Sequence, residues 1–140
     1  MAAVRTLLVI EPGRAGDAAV EEACLQAWRT GSAVTLVATA PLVATVRCGP
    51  AGDEYNGAVI DAVTRDLVRA CERLETAGVE VDCSVLIDGR DPPLEEFAAT
   101  GDFELILLPS RRPRWWQARH PSARRLTGKT QAEVRLVAGH

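Results

Sequence analysis

The chain has 140 residues, enough for one ordinary domain and too few for two, so residues 1–140 are read as a single domain. Hydrophobic residues make up 47% and charged residues 25%, which excludes wholesale disorder. The longest strictly aliphatic runs, Leu7–Ile10 and Leu105–Leu108, fall far short of the about 20 apolar residues that a membrane span requires. The net charge of −3 hides a lopsided distribution. Residues 1–108 hold 8 basic and 18 acidic side chains, whereas residues 109–140 hold 8 basic side chains and one carboxylate, Glu133. Such asymmetry points to an anion site, a partner surface, or acidic and basic faces that meet in the fold.

Arg5 and the short apolar stretch before Glu11-Pro12 are too short for a secretory leader, so a cytoplasmic location is expected. Val4–Ile10 reads as a buried strand ended by Glu11-Pro12-Gly13. From Asp17 to Thr30 the pattern is helical, with Val20, Ala23, Cys24, Ala27 and Trp28 on one face and Gly31 as the stop. Val34–Thr39 is a second strand, and Leu42–Val46 is a candidate extension of it. Residues 41–57, with two prolines and three glycines, read as a long connection. Ile60, Val63, Leu67, Ala70, Cys71 and Leu74 then line one face of a second helix that Gly78 ends.

Val79–Ile87 alternates, as a strand at a sheet edge does, with Cys83 on its apolar side. Asp88-Gly89 turns the chain, and Pro92 or Pro93 opens a short helix through Leu94, Phe97 and Ala98 that Gly101 closes. Phe103–Leu108 is a fourth strand. A basic stretch, Arg111–Arg119, precedes a short helix at Ser122–Thr127 and a last strand at Val134–Ala138. Strands alternating with helices imply parallel pairing with right-handed crossovers. The expected fold is α/β: a doubly wound, Rossmann-like, five-stranded parallel sheet with helices on both faces.

The cysteines, Cys24, Cys48, Cys71 and Cys83, form no C-x-x-C pair and have no histidine cluster, so no metal site is expected. Cys24, Cys71 and Cys83 read as small buried hydrophobes. Cys48 is placed in a loop, as the one candidate for a reactive thiol, with an inert thiol favoured because the sequence offers it no cationic neighbour beyond Arg47.

In this order of elements the chain resembles the universal stress protein family along almost its whole length. Leu8-Val9-Ile10-Glu11-Pro12-Gly13 looks like that family's first strand and its Asp-Gly-Ser start. Leu74-Glu75-Thr76-Ala77-Gly78-Val79-Glu80-Val81 looks like its helix-Gly-strand junction, and Asp88-Gly89-Arg90-Asp91-Pro92 is similar to its Gly-x-Pro turn. Glu104-Leu105-Ile106-Leu107-Leu108-Pro109-Ser110-Arg111-Arg112 is close to its Asp-Leu-Ile-Val-Met-Gly-Ser-Arg-Gly segment. The resemblance implies strand order 3-2-1-4-5 and a homodimer formed through the last strand, with Val134 and Leu136 in the contact.

ATP-binding members carry a Gly-x2-Gly-x9-Gly-Ser/Thr pattern after the fourth strand. Here Pro109 and Arg112 stand at the first two glycines, and Pro121, one residue early, stands near the third, followed by Ser122. Glycine lets backbone N–H groups close around a phosphate, whereas proline has no N–H and fixes φ. The resemblance therefore outlines a vestigial nucleotide site at Glu11, Pro109, Ser110, Arg111, Arg112 and Ser122. Glu11 replaces the family's Asp and is one methylene longer, still able to accept a ribose hydroxyl. Arginines bind phosphate through paired N–H groups, so this basic segment offers a substitute for the missing backbone donors; the favoured reading is that its side chains are solvated or pair with the acidic body.

Thr127-Gly128-Lys129-Thr130 brushes against a P-loop, but Ala123 stands at its first glycine, and a helix precedes it where a strand is required. Ser110, His120 and Asp88 have the residue types of a nucleophilic triad without a Gly-x-Ser-x-Gly elbow. Arg111–Arg125 with Trp115-Trp116 looks like a nucleic-acid stripe, but the acidic body repels a long polyanion, so nucleic acid is disfavoured. Arg114, Trp115 and Trp116 instead have the composition of a protein contact. The expectation is a non-catalytic binding or regulatory protein with a disabled or altered ATP pocket, no cofactor, no metal, no membrane and a protein partner at the basic segment. The competing expectation is an adenine-nucleotide-binding protein in which arginines replace the glycine loop, with slow ATP hydrolysis as the one activity considered.

Overall fold

The computed structural model describes residues 5–11, 17–41, 45–110 and 121–138. In chain order the elements are β1 (Arg5–Ile10), α1 (Asp17–Thr30), β2 (Ala33–Ala40), α2 (Thr45–Thr76), β3 (Val81–Ile87), α3 (Leu94–Thr100), β4 (Leu105–Ser110), α4 (Pro121–Lys129) and β5 (Glu133–Ala138). All neighbouring strands are parallel, and the sheet order is β3-β2-β1-β4-β5.

Successive residues of β1 point to opposite faces, and both faces are covered. Leu8 and Ile10 join the core under α1 and α2, while Leu7 and Val9 join the core under α3 and α4. That is why the strand is a continuous apolar run rather than an alternating one. The inner stripe of α2, Val63, Leu67, Ala70 and Leu74, packs on the first of these layers. The helix stops where the chain turns left-handed at Gly78 (φ 80°). There Val79 N–H donates to the Leu74 carbonyl (3.0 Å) and Gly78 N–H to that of Glu75 (2.9 Å), a Schellman closure with Val79 packed beside Leu74.

Several elements depart from the sequence expectation. The segment read as a connection over 41–57 is helical from Thr45, so neither Leu42–Val46 as a strand extension nor Cys48 in a loop holds: residues 45 and 46 and Cys48 belong to α2, and 42–44 lie outside the described residues. Gly52 and Asn56 are buried there, and packing outweighs the poor helix propensity of the glycines and Pro50. Trp28 is 64% exposed rather than part of the inner stripe, and its indole N–H donates to the Ala77 carbonyl at 3.1 Å, tying α1 to the end of α2. Cys83 is exposed, because β3 is an edge strand with three consecutive open positions. The fourth strand runs two residues farther than expected, so that Pro109 and Ser110 are paired with Val137 and Ala138. No helix among the described residues is long and apolar enough to cross a membrane.

Candidate functional site

The crossovers set the site. α1 and α2 cover one face of the sheet and α3 and α4 the other, so the chain reverses between β1 and β4. Pairing between these two strands ends at Leu8–Leu107. β1 continues beside β2 to Ile10–Ala38, and β4 continues beside β5 to Ser110–Ala138. The two central strands thus part at their carboxyl ends, the place where open α/β sheets bind ligands. Half-buried Glu11 and buried Ser110 stand on the two sides of this parting, each three residues beyond the last pair.

Beside it, at the ends of β2 and β3, lies a hollow of about 680 Å³, within the size range of small-molecule sites. Ala40, Pro41, Leu86 and Leu94 give it apolar walls, and Asp88, Arg90 and Asp91 bring charge to it. Its outer wall is a tight turn. The Ile87 carbonyl accepts from Arg90 N–H (3.1 Å) and Asp91 N–H (3.0 Å), and the Asp91 carboxylate accepts from Ile87 N–H (2.8 Å). Gly89 takes φ 83°, which a side chain would strain. Asp88 N–H donates to the Ala40 carbonyl at 3.1 Å and closes β3 onto β2. Glu11 follows Ile10, whose partner Ala38 precedes the pocket-lining Thr39, so the hollow and the parted strands are contiguous along the sheet edge.

Pro109 and Ser110 are the buried last residues of β4, and Pro109 lies past the last β1–β4 pair, so its missing N–H costs no bond on that side. Ser122 is half-buried in the first turn of α4 and accepts from the Arg125 guanidinium at 3.4 Å. Arg125 also approaches the Glu95 carboxylate at 3.9 Å. Arg111, Arg112, Arg114, Trp115, Trp116, Arg119 and His120 lie outside the described residues. Val134 and Leu136 are buried in the core beneath α3 and α4, so their side chains pack within the chain itself.

Ser110 and Asp88 end strands three places apart in the sheet, roughly 14 Å at the usual spacing, so no triad forms from them. Thr127–Lys129 end α4 and precede β5, the reverse of a P-loop's strand and helix. Among the described residues no group of three or more His, Cys, Asp or Glu side chains is arranged to hold a metal ion. Asp88–Pro92 reads in the sequence as a turn and not as a pocket wall; the glycine and proline that force the chain around the end of β3 are the signal for both.

No family model matches the sequence, and no curated protein matches it. Solved structures do match its fold. A protein of the universal stress protein family from Burkholderia pseudomallei superposes with a TM-score of 0.73 at 16% identity, covering 96% of each chain. The universal stress protein from Archaeoglobus fulgidus in complex with dAMP gives 0.67 at 20% identity, over 97% of this chain and 98% of that one. A universal stress protein in complex with cAMP gives 0.59 at 15% identity, over 99% and 100%. At these identities the likeness is one of architecture: the chain has the five-stranded, 3-2-1-4-5 Rossmann-like fold of the universal stress proteins.

Proposed function

We propose that the chain is a universal-stress-type protein that binds an adenine nucleotide at the carboxyl edge of its sheet and works as a binding or regulatory module. The observation that carries this reading is the hollow of about 680 Å³ beside the parted ends of β1 and β4. It is supported by the dAMP and cAMP complexes among the solved structures of the same fold. Base and ribose occupy the apolar hollow, with Glu11 accepting a ribose hydroxyl. The phosphates avoid Asp88 and Asp91 and turn toward the basic segment, where Arg111 and Arg112 take the place of backbone donors. The protein pairs through the β5 edge into a homodimer, and Arg114, Trp115 and Trp116 offer a protein contact.

Calorimetry with ATP, AMP and cAMP, and GTP as the control, tests this. Micromolar adenine-nucleotide binding, weakened by Glu11→Ala and by the pair Arg111→Ala and Arg112→Ala, is expected. No adenine-nucleotide binding at millimolar concentration overturns it. One observation favours the second reading, a binding module whose nucleotide site is disabled. Pro109 and Ser110 are locked into the β4–β5 ladder, where a flexible glycine loop would otherwise begin.

A further inference from the structure

We propose that Cys71 and Cys83 form a peroxide-responsive dithiol that closes a reversible disulfide between α2 and the edge strand β3, with Glu75 as the proton acceptor. The two free cysteines lie on elements that pack together, Cys71 half-buried on α2 and Cys83 exposed in the middle of β3 opposite Leu36. Cys83 shares its face of β3 with Val81 and Val85, and both valines pack with Cys71 against the core layer beneath α2. The Cys71 thiol donates to the Glu75 carboxylate, one helical turn along α2, at 3.5 Å.

The asymmetry of the pair assigns the order of events. Burial, then Cys83 and Glu75, push the Cys71 thiol up to about 12, so it stays protonated. Cys83 is the sulfur that faces solvent, and hydrogen peroxide meets it first. Its thiolate attacks one peroxide oxygen and breaks the O–O bond. Cys83 becomes a sulfenic acid and the other oxygen leaves as water after taking a proton. The Cys71 sulfur then attacks the Cys83 sulfur. The S–S bond forms, the S–O bond breaks, and the Cys71 proton passes through Glu75 to the departing hydroxide. Two thiols and one peroxide give one disulfide and two waters. The bridge ties α2 to the strand whose far end, Leu86–Asp88, lines the hollow.

The test is peroxide treatment of the reduced full chain, alkylation of the remaining thiols and peptide mapping. Trypsin cuts after Arg69, Arg73 and Arg90, so the bridge joins peptide 70–73 to peptide 74–90. That product, reversed by dithiothreitol, is expected. Cys71→Ser should leave a Cys83 sulfenic acid that dimedone traps, whereas Cys83→Ser should leave Cys71 reduced. Glu75→Gln should slow closure by about tenfold while Cys83 oxidises at the same rate. Bridging through Cys24 or Cys48, a bridge between two chains, or oxidation of Cys83 to a sulfinic acid without closure would overturn the proposal. An unchanged closure rate in Glu75→Gln would remove the carboxylate from it.

Discussion

A Cβ at position 101 would run into the ring of Phe103. That ring has two partners: it stacks with Phe97 at 6.2 Å between centroids, and the Arg5 guanidinium sits 5.0 Å from its centroid while donating to the Gly101 carbonyl at 2.9 Å. Gly101→Ala must displace the ring and is expected to cost about 1–3 kcal/mol in urea unfolding. Gly57 is the opposite case, a glycine inside α2 whose Cβ would meet open space. Gly57→Ala is expected to stabilise by about 0.5–1 kcal/mol in the same assay. Cys71 adds a pH dependence. An unfolded thiol releases its proton near 9.0, while the folded one, raised by burial, keeps it to about 12. The folded chain therefore binds more protons in that window, and rising pH favours unfolding. The contribution is whole below about pH 9 and is lost toward about pH 12. In Cys71→Ala the urea midpoint should fall less steeply across that window than in the wild type.

Two arginines join elements, and their burial separates them. Arg73 reaches from α2 to Asp17 (3.1 Å) and Glu21 (3.7 Å) on α1, but these carboxylates are 85% and 72% exposed. Arg135 on β5 holds Glu22 of α1 at 3.0 Å and Glu133 at 3.1 Å, with Arg135 and Glu22 only about a quarter exposed. Water screens the first pair, so Arg73→Met should change stability by less than about 1 kcal/mol. Arg135→Met takes the cation from the half-buried Glu22, leaves it the neutral Gln26 amide at 3.2 Å, and should cost about 1–2 kcal/mol, read by thermal or urea unfolding. Element by element, the sequence was legible where side chains repeat with the period of the structure, as in β1, β2, α1 and the later turns of α2. It misled at the start of α2, because Gly49, Pro50, Gly52 and Gly57 carry the local signature of a loop while long-range packing makes the helix. It misled at Cys83 because alternation tells two faces apart but not whether a helix covers either of them. Of the candidate site, Glu11, Pro109 and Ser110 could be placed at strand ends from the sequence; the hollow could not, since it is shaped by the path of Asp88–Pro93 around the end of β3.

At the scale of the whole molecule, the charge asymmetry and the proposed site make one joint prediction. A ligand that binds only the folded chain stabilises it by mass action, by about 2.7 kcal/mol at a hundredfold excess over Kd. For a domain of this size that corresponds to a rise of roughly 10 °C in Tm. If arginines rather than backbone amides hold the phosphates, the attraction is between full charges and is screened by salt. The Tm rise given by ATP should then shrink between low and physiological ionic strength, while that given by adenosine, which has no phosphate, should not change. A backbone cradle would show much weaker salt dependence, because its donors are fixed dipoles close to the ligand. Gly89→Val strains the turn at φ 83° that walls the hollow, and so should diminish the rise for ATP and adenosine alike. Equal salt dependence for ATP and adenosine would remove the arginines from the phosphate site. A Gly89→Val variant with undiminished shifts would move the base out of the hollow between β2 and β3.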